Sequence, residues 1–258
     1  MLSIGIITYN RKDLLKKCLL SVFEKIGKIA SEIIIVDNNS KDGTQKMIEK
    51  EFKTKVVLIT NKINKGVAGG RNQILKRYKG KYLLLIDDDT EIMSTNILKM
   101  IDYMKKNKKV GILGCKILTP ENQVYSSARK FPRPANILAR KLSVLSIFKN
   151  TSLLKPYKQI PPETYFPKRV DFVIGACQLI KRETQEKIGL LDERMKFGFE
   201  DADYCARAIK AGFEVVYYPF FAIKHYKGIV SDRTFSKFLL YYVRSYLLFY
   251  LKHKDLLK

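Results

Sequence analysis

Three stretches of this chain are apolar almost from end to end and finish in polar clusters: Ser3–Tyr9 (SIGIITY), Glu32–Asp37 (EIIIVD) and Lys81–Asp87 (KYLLLID). A strand with one wet face alternates apolar and polar side chains. A run without alternation is buried on both faces, as in a parallel sheet covered by helices on each side. Between the runs the period changes. Asn10 is a candidate N-cap, and Leu14, Leu15, Cys18, Leu19, Val22 and Phe23 recur at helical spacing. Val56–Thr60 reads as a further strand and Val67–Tyr78 as a further helix. The alternation predicts an α/β fold with a mostly parallel central sheet flanked by helices. Ligands of such sheets bind beyond the carboxyl ends of the strands, which directs attention to Thr8–Asn10, Asp37–Asn39 and Asp87–Asp89.

The chain changes character at about 130–168, a basic stretch holding six of its eight prolines. It reads as a long excursion with one short basic amphipathic helix. Regular patterns resume with a strand at Val170–Ile174, a helix near Arg182–Ile188, a helix from about Glu200 to Ala211 and a strand at Glu214–Tyr218. A terminal helix is expected over Arg233–Lys252.

Composition narrows the setting. Cys18, Cys115, Cys177 and Cys205 form no C-x-x-C pair, which signals neither a disulfide framework nor a cysteine zinc site. The N-terminus runs straight into a strand pattern without a basic region and cleavage site, and the longest apolar stretch, Phe238–Leu251, is too short to cross a bilayer. The expectation is a cytoplasmic protein. A net charge of +24 favours an anionic partner, although a lysine-rich solvated surface accounts for it equally well.

Three consecutive acids, Asp87, Asp88 and Asp89, end the Lys81–Asp87 run. Like charges so close repel unless a cation or water relieves them, and all-oxygen ligands suit Mg²⁺ or Mn²⁺; the alternative is a solvated acidic turn ahead of a helix capped by Ser94. Glu200, Asp201 and Asp203 open a helix, where the dipole alone favours acids, yet a carboxylate there could also serve as a general base. His225 follows the apolar run Phe220–Ile223, either as a packing residue or completing a carboxylate metal site. Asp37 and the glycine-rich stretch Asn64–Asn72 fit turn chemistry as well as ligand contact, and no Walker pattern is present.

Taken in order, T-Y-N-R, I-V-D-N-N-S-x-D-G-T, N-x-G-x-A-G-G-R-N, L-x-x-I-D-D-D and G-x-x-D-E-R-x-x-x-x-x-E-D-x-D followed by a histidine resemble the inverting family 2 glycosyltransferases of GT-A fold, most of all their rhamnosyltransferase-like subgroup. The resemblance covers about residues 1–118 and 170–250. It implies Thr8 and Tyr9 beside the nucleobase, Asp37 and Arg71 reading it, and Asp87 and Asp88 on the donor. It further implies Asp89, Asp87 and His225 as ligands of Mn²⁺ or Mg²⁺, Asp201 as the general base and Glu200 as its assistant, with Asp203 on the helix surface or behind the base. The implied organisation is a catalytic domain over 1–232, comprising a nucleotide-sugar half (1–118), a variable basic excursion (119–169) and an acceptor half (170–232), followed by a C-terminal amphipathic basic helix (233–258).

The implied partners are a UDP- or dTDP-linked sugar and a glycan or polyprenyl-diphosphate-linked acceptor in cell-surface polysaccharide synthesis. Two rivals stand beside this reading. A sugar nucleotidyltransferase would ordinarily carry a glycine-rich basic first turn where this chain has TYNRKD. A basic nucleic-acid-binding protein would leave both acidic clusters without a role, and no nucleic-acid-binding motif is present. In the terminal segment Phe235, Phe238, Leu239, Tyr242, Val243, Tyr246, Leu247 and Tyr250 form a stripe among Lys237, Arg244 and Lys252. That stripe suits a helix lying on an anionic membrane surface, packing on the catalytic domain, or pairing in a homodimer. Peripheral attachment to the inner face of the cell membrane, through 130–170 and 233–258, is the corresponding expectation.

Overall fold

The computed structural model describes residues 1–125, 127–134, 164–226 and 237–257, apart from the side chains of Ser31, Lys237 and Phe238. The expected basic helix of the excursion and the expected helix start at Arg233 lie outside the described residues.

The first half is a repeated strand–helix unit: β1 (Leu2–Thr8), α1 (Lys12–Lys25), β2 (Ala30–Asp37), α2 (Thr44–Glu51), β3 (Val57–Thr60), α3 (Gly66–Leu75) and β4 (Tyr82–Asp87). There follow β5 (Thr90–Ile92), α4 (Ile97–Lys106), β6 (Val110–Leu118), and the short strands β7 (Val124–Tyr125), β8 (Ala128–Arg129), β9 (Lys168–Arg169) and β10 (Phe172–Val173). The chain closes with β11 (Cys177–Lys181), α5 (Arg182–Ile188), α6 (Glu200–Lys210), β12 (Glu214–His225), α7 (Lys237–His253) and a 3₁₀ turn at Lys254–Leu257. The main sheet runs β3-β2-β1-β4-β11-β6-β12-β5. Its first four strands are parallel, β11 enters antiparallel between β4 and β6, β12 runs parallel to β6, and β5 closes the edge antiparallel to β12.

The unbroken apolar runs are explained by two cores. Ile33, Ile35, Leu84 and Ile86 point into one, shared with Leu15, Leu19 and Val22 of α1 and Met100 and Met104 of α4. Ile34, Val36, Leu83 and Leu85 point into the other, shared with Ile74 of α3, Ala202 and Cys205 of α6 and Phe249 of α7. Successive side chains of one strand thus enter opposite cores, which is why no polar position interrupts them.

The structure departs from the sequence reading in four respects. Helices α2 and α4 and strands β5, β6 and β11 carry no expectation above, although Ile97, Met100, Ile101 and Met104 recur at helical spacing and β6 is an apolar run broken only by Lys116. The strand expected at Val170–Ile174 shrinks to Phe172–Val173, paired with β8 in a separate ribbon. Ser94 is no helix cap: α4 starts after Asn96, and the Ser94 hydroxyl accepts the Ala222 N–H at 3.0 Å. The strand expected to stop at Tyr218 continues to His225. Its register against β6 jumps between Tyr218 and Ala222, a stretch that includes Pro219, whose missing N–H cannot serve a ladder. Beyond that irregularity β12 resumes and sets His225 opposite Thr90. Among the described residues no helix is long and apolar enough to cross a membrane.

Candidate active site

The tips of β1, β2 and β4 end level, with Thr8 opposite Asp37 and Ile7 opposite Asp87. Asn10 and Asn39 take left-handed conformations (φ 53° and 71°), which asparagine tolerates better than most residues, and so turn the chain sharply off β1 and β2. The two turns are tied together by the Asn10 N–H on the Ser40 hydroxyl (2.9 Å) and the Lys41 N–H on the Asn10 amide oxygen (2.7 Å). Thr8 is buried here and Tyr9 is exposed. Asp37 is fully buried, and its carboxylate accepts the Ser40 N–H, the Ser40 hydroxyl and the Gln45 amide. It is committed to its own turn.

The acids at the end of β4 are gathered with partners from three other segments. Arg71 of α3 reaches the Asp87 Oδ1 at 2.6 Å. Arg11, in the turn after β1, bridges Asp88 Oδ1 (3.0 Å) and Asp89 Oδ2 (2.7 Å) through one nitrogen. His225 Nε2 lies 3.0 Å from Asp89 Oδ1, where the Tyr226 N–H to Asp89 carbonyl bond (2.8 Å) fixes the approach. One ligand atom each from Asp87, Asp89 and His225 falls within 4.8 Å of the others. Burial pushes the Asp88 carboxyl up to about 6, with the Arg11 charge opposing it. Arg11 has no counterpart in the sequence reading: it stands in the T-Y-N-R motif, but nothing in a linear pattern links position 11 to positions 88 and 89.

Glu200 and Asp201 start α6 on the other side of Arg71. The Asp201 carboxylate accepts the Gly175 N–H (3.0 Å) and the Ala202 N–H (2.8 Å). Burial raises both carboxyls; in Glu200 burial and the adjoining Asp201 charge outweigh Arg71 and push it up to about 7. Buried Arg71 connects the two clusters, donating to Asp87 and to the Gly175 carbonyl (2.8 Å). A Cβ on Gly175 would collide with the Arg71 guanidinium, so glycine permits that approach. Gly70 likewise lets α3 close on the tip of β1, where an added Cβ would meet Ile7 at 3.1 Å.

What aims α6 is strain held by packing. Phe199, immediately before it, has φ 69°, a left-handed conformation costly for an aromatic residue. Its ring is enclosed by Tyr242, Tyr246 and Phe249 of α7, with centroids 4.9, 5.5 and 6.0 Å away. One turn on, Asp203 is fully buried and not on the helix surface. It accepts from Arg207 (2.9 Å) and meets Lys252 (2.5 Å) and His253 (2.8 Å) at the end of α7. Burial opposes its ionisation, but these partners together hold its carboxyl below the usual range. Lys252 also reaches Asp192 (3.0 Å).

Of the residues singled out in the sequence, the fold therefore assembles Asp87, Asp88, Asp89, Arg71 and His225 around one point and joins Asp201 to them through Arg71 and Gly175. Thr8 and Tyr9 sit at a neighbouring strand tip, while the Asp37 carboxylate faces its own turn.

A cluster of acids at the carboxyl ends of a mostly parallel sheet, into which one antiparallel strand is inserted, defines a protein of the GT-A class. The solved structure of GalNAc-T7 with UDP, GalNAc and Mn²⁺ superposes with TM-score 0.71 at 16% identity, over 99% of this chain and 50% of its own. A mannosyltransferase from Pyrobaculum calidifontis, in complex with GDP-Man and Mn²⁺, superposes with TM-score 0.63 at 17% identity, over 98% of this chain and 64% of its own. The chain belongs to Glycosyl transferase family 2, whose profile matches residues 3–189. It is similar to an Escherichia coli UDP-Glc:α-D-GlcNAc-diphosphoundecaprenol β-1,3-glucosyltransferase, 36% identical over 108 residues, which is 42% of this chain and 43% of that relative. It is also similar to the Mycobacterium tuberculosis N-acetylglucosaminyl-diphospho-decaprenol L-rhamnosyltransferase, 25% identical over 248 residues, which is 90% of this chain and 78% of that relative. The match thus spans less than half the length of the first of these relatives and half of the GalNAc-T7 chain.

Proposed function

We propose that this protein transfers a sugar, with inversion, from a UDP- or dTDP-linked donor to a hydroxyl of a glycan or polyprenyl-diphosphate-linked acceptor in cell-surface polysaccharide synthesis. The acceptor is met at the inner face of the membrane. The observation that carries the proposal is the convergence of Asp87, Asp89 and His225 within 4.8 Å, next to an arginine shared with the Asp201 cluster. The similarity to enzymes named for lipid-diphosphate acceptors supports the acceptor class.

Two carboxylates and an imidazole fit Mn²⁺ well and Mg²⁺ less closely, since magnesium prefers oxygen. Asp87, Asp89 and His225 would hold the ion, which when bound supplies charge neutralisation for a departing diphosphate. The chain's own groups do the rest. Asp201 takes the proton of the acceptor hydroxyl as its oxygen bonds the anomeric carbon, opposite the breaking bond to the diphosphate. Two backbone N–H groups keep its carboxylate oriented for that task. Burial and mutual repulsion raise the carboxyl of Glu200, so the pair resists carrying two negative charges at once, and Glu200 assists Asp201 by sharing that burden. Thr8 and Tyr9 flank the nucleobase and Asp88 lies on the donor side; Arg71 orders Asp87 against the acceptor half. Asp37 contributes to base recognition through the turn it braces. Residues 1–118 then form the donor half of a catalytic domain ending near 232, and 170–232 the acceptor half.

A transfer screen tests this. Purified protein, membranes carrying lipid-linked acceptor and a panel of nucleotide-sugars are assayed with and without Mn²⁺. Transfer from one UDP- or dTDP-sugar, dependent on the ion, is the expected result. Consumption of a nucleoside triphosphate in place of a diphospho-sugar would favour the nucleotidyltransferase reading. Salt-sensitive nucleic-acid binding without donor use would favour the third.

A further inference from the structure

The α7 helix has two unlike faces. Its inner face, Tyr246, Phe249 and His253, is buried against Phe199 and Asp203. Its outer face carries Leu240, Arg244, Leu247 and Leu251, at i, i+4, i+7 and i+11, one line along a helix. The three leucines are 66%, 52% and 70% exposed, and Arg244 is exposed among them. The sequence from Lys237 to His253 holds no acid, and exposed Lys254 stands at the end of the row. A row of open leucines on a folded surface marks a contact with something apolar.

Two occupants fit a leucine row, and charge separates them. A second copy of this chain would bring a further +24 against +24, with Arg244 facing its own counterpart. The row also covers barely two heptads, short of the three or four that sustain a coiled coil. An anionic bilayer offers acyl chains for the leucines and phosphates for the cations. The helix has 17 residues, about 25 Å in length, and one side is held by protein, so it lies on a membrane and does not cross it.

We propose that the outer face of α7 is a membrane-docking surface: Leu240, Leu247 and Leu251 enter the interfacial zone of an anionic bilayer while Arg244 and Lys254 meet headgroup phosphates. Because the inner face of the same helix encloses Phe199, docking holds the start of α6, with Glu200 and Asp201, at a fixed height above the lipid. The purpose of the contact rests on the lipid-linked acceptor proposed above; the contact itself does not.

The test uses the full chain and no turnover. Protein is sedimented with sucrose-loaded vesicles of phosphatidylcholine, with or without about 30% phosphatidylglycerol. Wild type should sediment with the anionic vesicles. The L240S/L247S/L251S variant should lose about ten-fold in partitioning at an unchanged thermal midpoint, which a merely electrostatic adhesion of a basic protein would not do. Arg244→Glu, with the leucines intact, gives a second reading and should weaken binding several-fold. Failure of wild type to sediment, or equal sedimentation of wild type and the triple variant, overturns the proposal. So does a dimer in sedimentation velocity that the triple variant abolishes. Vesicle binding by a protein that uses no donor would sink the transferase reading and leave this surface standing.

Discussion

The acids after β4 and the acids at the start of α6 are joined through Arg71 and Gly175 but are positioned by different means. Asp87, Asp88 and Asp89 extend a strand hydrogen-bonded on both sides, so the sheet itself sets where they point. Glu200 and Asp201 begin a helix entered through a left-handed phenylalanine, whose conformation persists only because α7 encloses the ring and anchors to Asp203. The acids of the first cluster are consecutive at one strand end held by the sheet, whereas those of the second depend on a helix some forty residues further along the chain. Damage at a distance should therefore reach the second cluster and spare the first.

The largest separation of the two should come from Asp201→Asn. Loss of the proton acceptor is expected to lower the transfer rate by about 100- to 10,000-fold. Donor affinity, measured by calorimetry, should stay within about two-fold, because nothing at the end of β4 is touched. Comparable losses in both quantities would merge the clusters into one unit.

Next in size, Asp203→Asn sharpens the contrast from behind the site. Removing the shared carboxylate leaves Arg207, Lys252 and His253 without their common partner, at a cost of about 3 kcal/mol in chemical denaturation. Transfer should fall with it, while donor affinity below the unfolding transition should hold. The sign of its pH dependence follows from the depressed carboxyl. The contribution is present above the unfolded value near 4 and is lost as pH falls through the lower folded value, so the variant should show less acid destabilisation than wild type.

Glu200 acts in the opposite sense. Its folded value near 7 exceeds the unfolded one, so the folded protein keeps a proton that the unfolded chain has released. Stability should fall as pH rises from about 4.5 to 7, and Glu200→Gln should lessen that slope, with the raised Asp201 carboxyl keeping the remainder. The smallest effect is expected from Arg11→Gln. It should cost the metal-free protein about 1 kcal/mol, and Mn²⁺ should recover most of the loss by supplying the missing positive charge to Asp88 and Asp89. No recovery would separate Arg11 from the ion's site.

The same contrast explains what the sequence discloses. Ile4, Ile35 and Leu84 lie in unbroken apolar runs, and such runs reveal both the layered sheet and the tips where ligands gather. His225 is named by motif order, yet its approach to Asp89 depends on a register jump around Pro219 that periodicity reads as the end of a strand. Arg11, and the contact of Arg71 with Gly175, join positions 77 to 104 residues apart, and no spacing rule encodes such a meeting. The terminal stripe reads as aromatic and basic, but which face turns inward is decided by Phe199, whose strained φ leaves no mark in the sequence. The stripe in fact divides: Tyr242 and Tyr246 pack on Phe199, while Leu239 and Leu247 face outward.

One measurement bears on the centre of the account, the divalent site made by Asp87, Asp89 and His225. Binding of UDP and dTDP is titrated calorimetrically with and without Mn²⁺, in wild type and in Asp89→Asn. Wild type should bind one of the diphosphates more than about 100-fold more tightly when Mn²⁺ is present, and the variant should show almost no gain. Binding that is equally tight without the ion, or a full Mn²⁺ gain in Asp89→Asn, would contradict it.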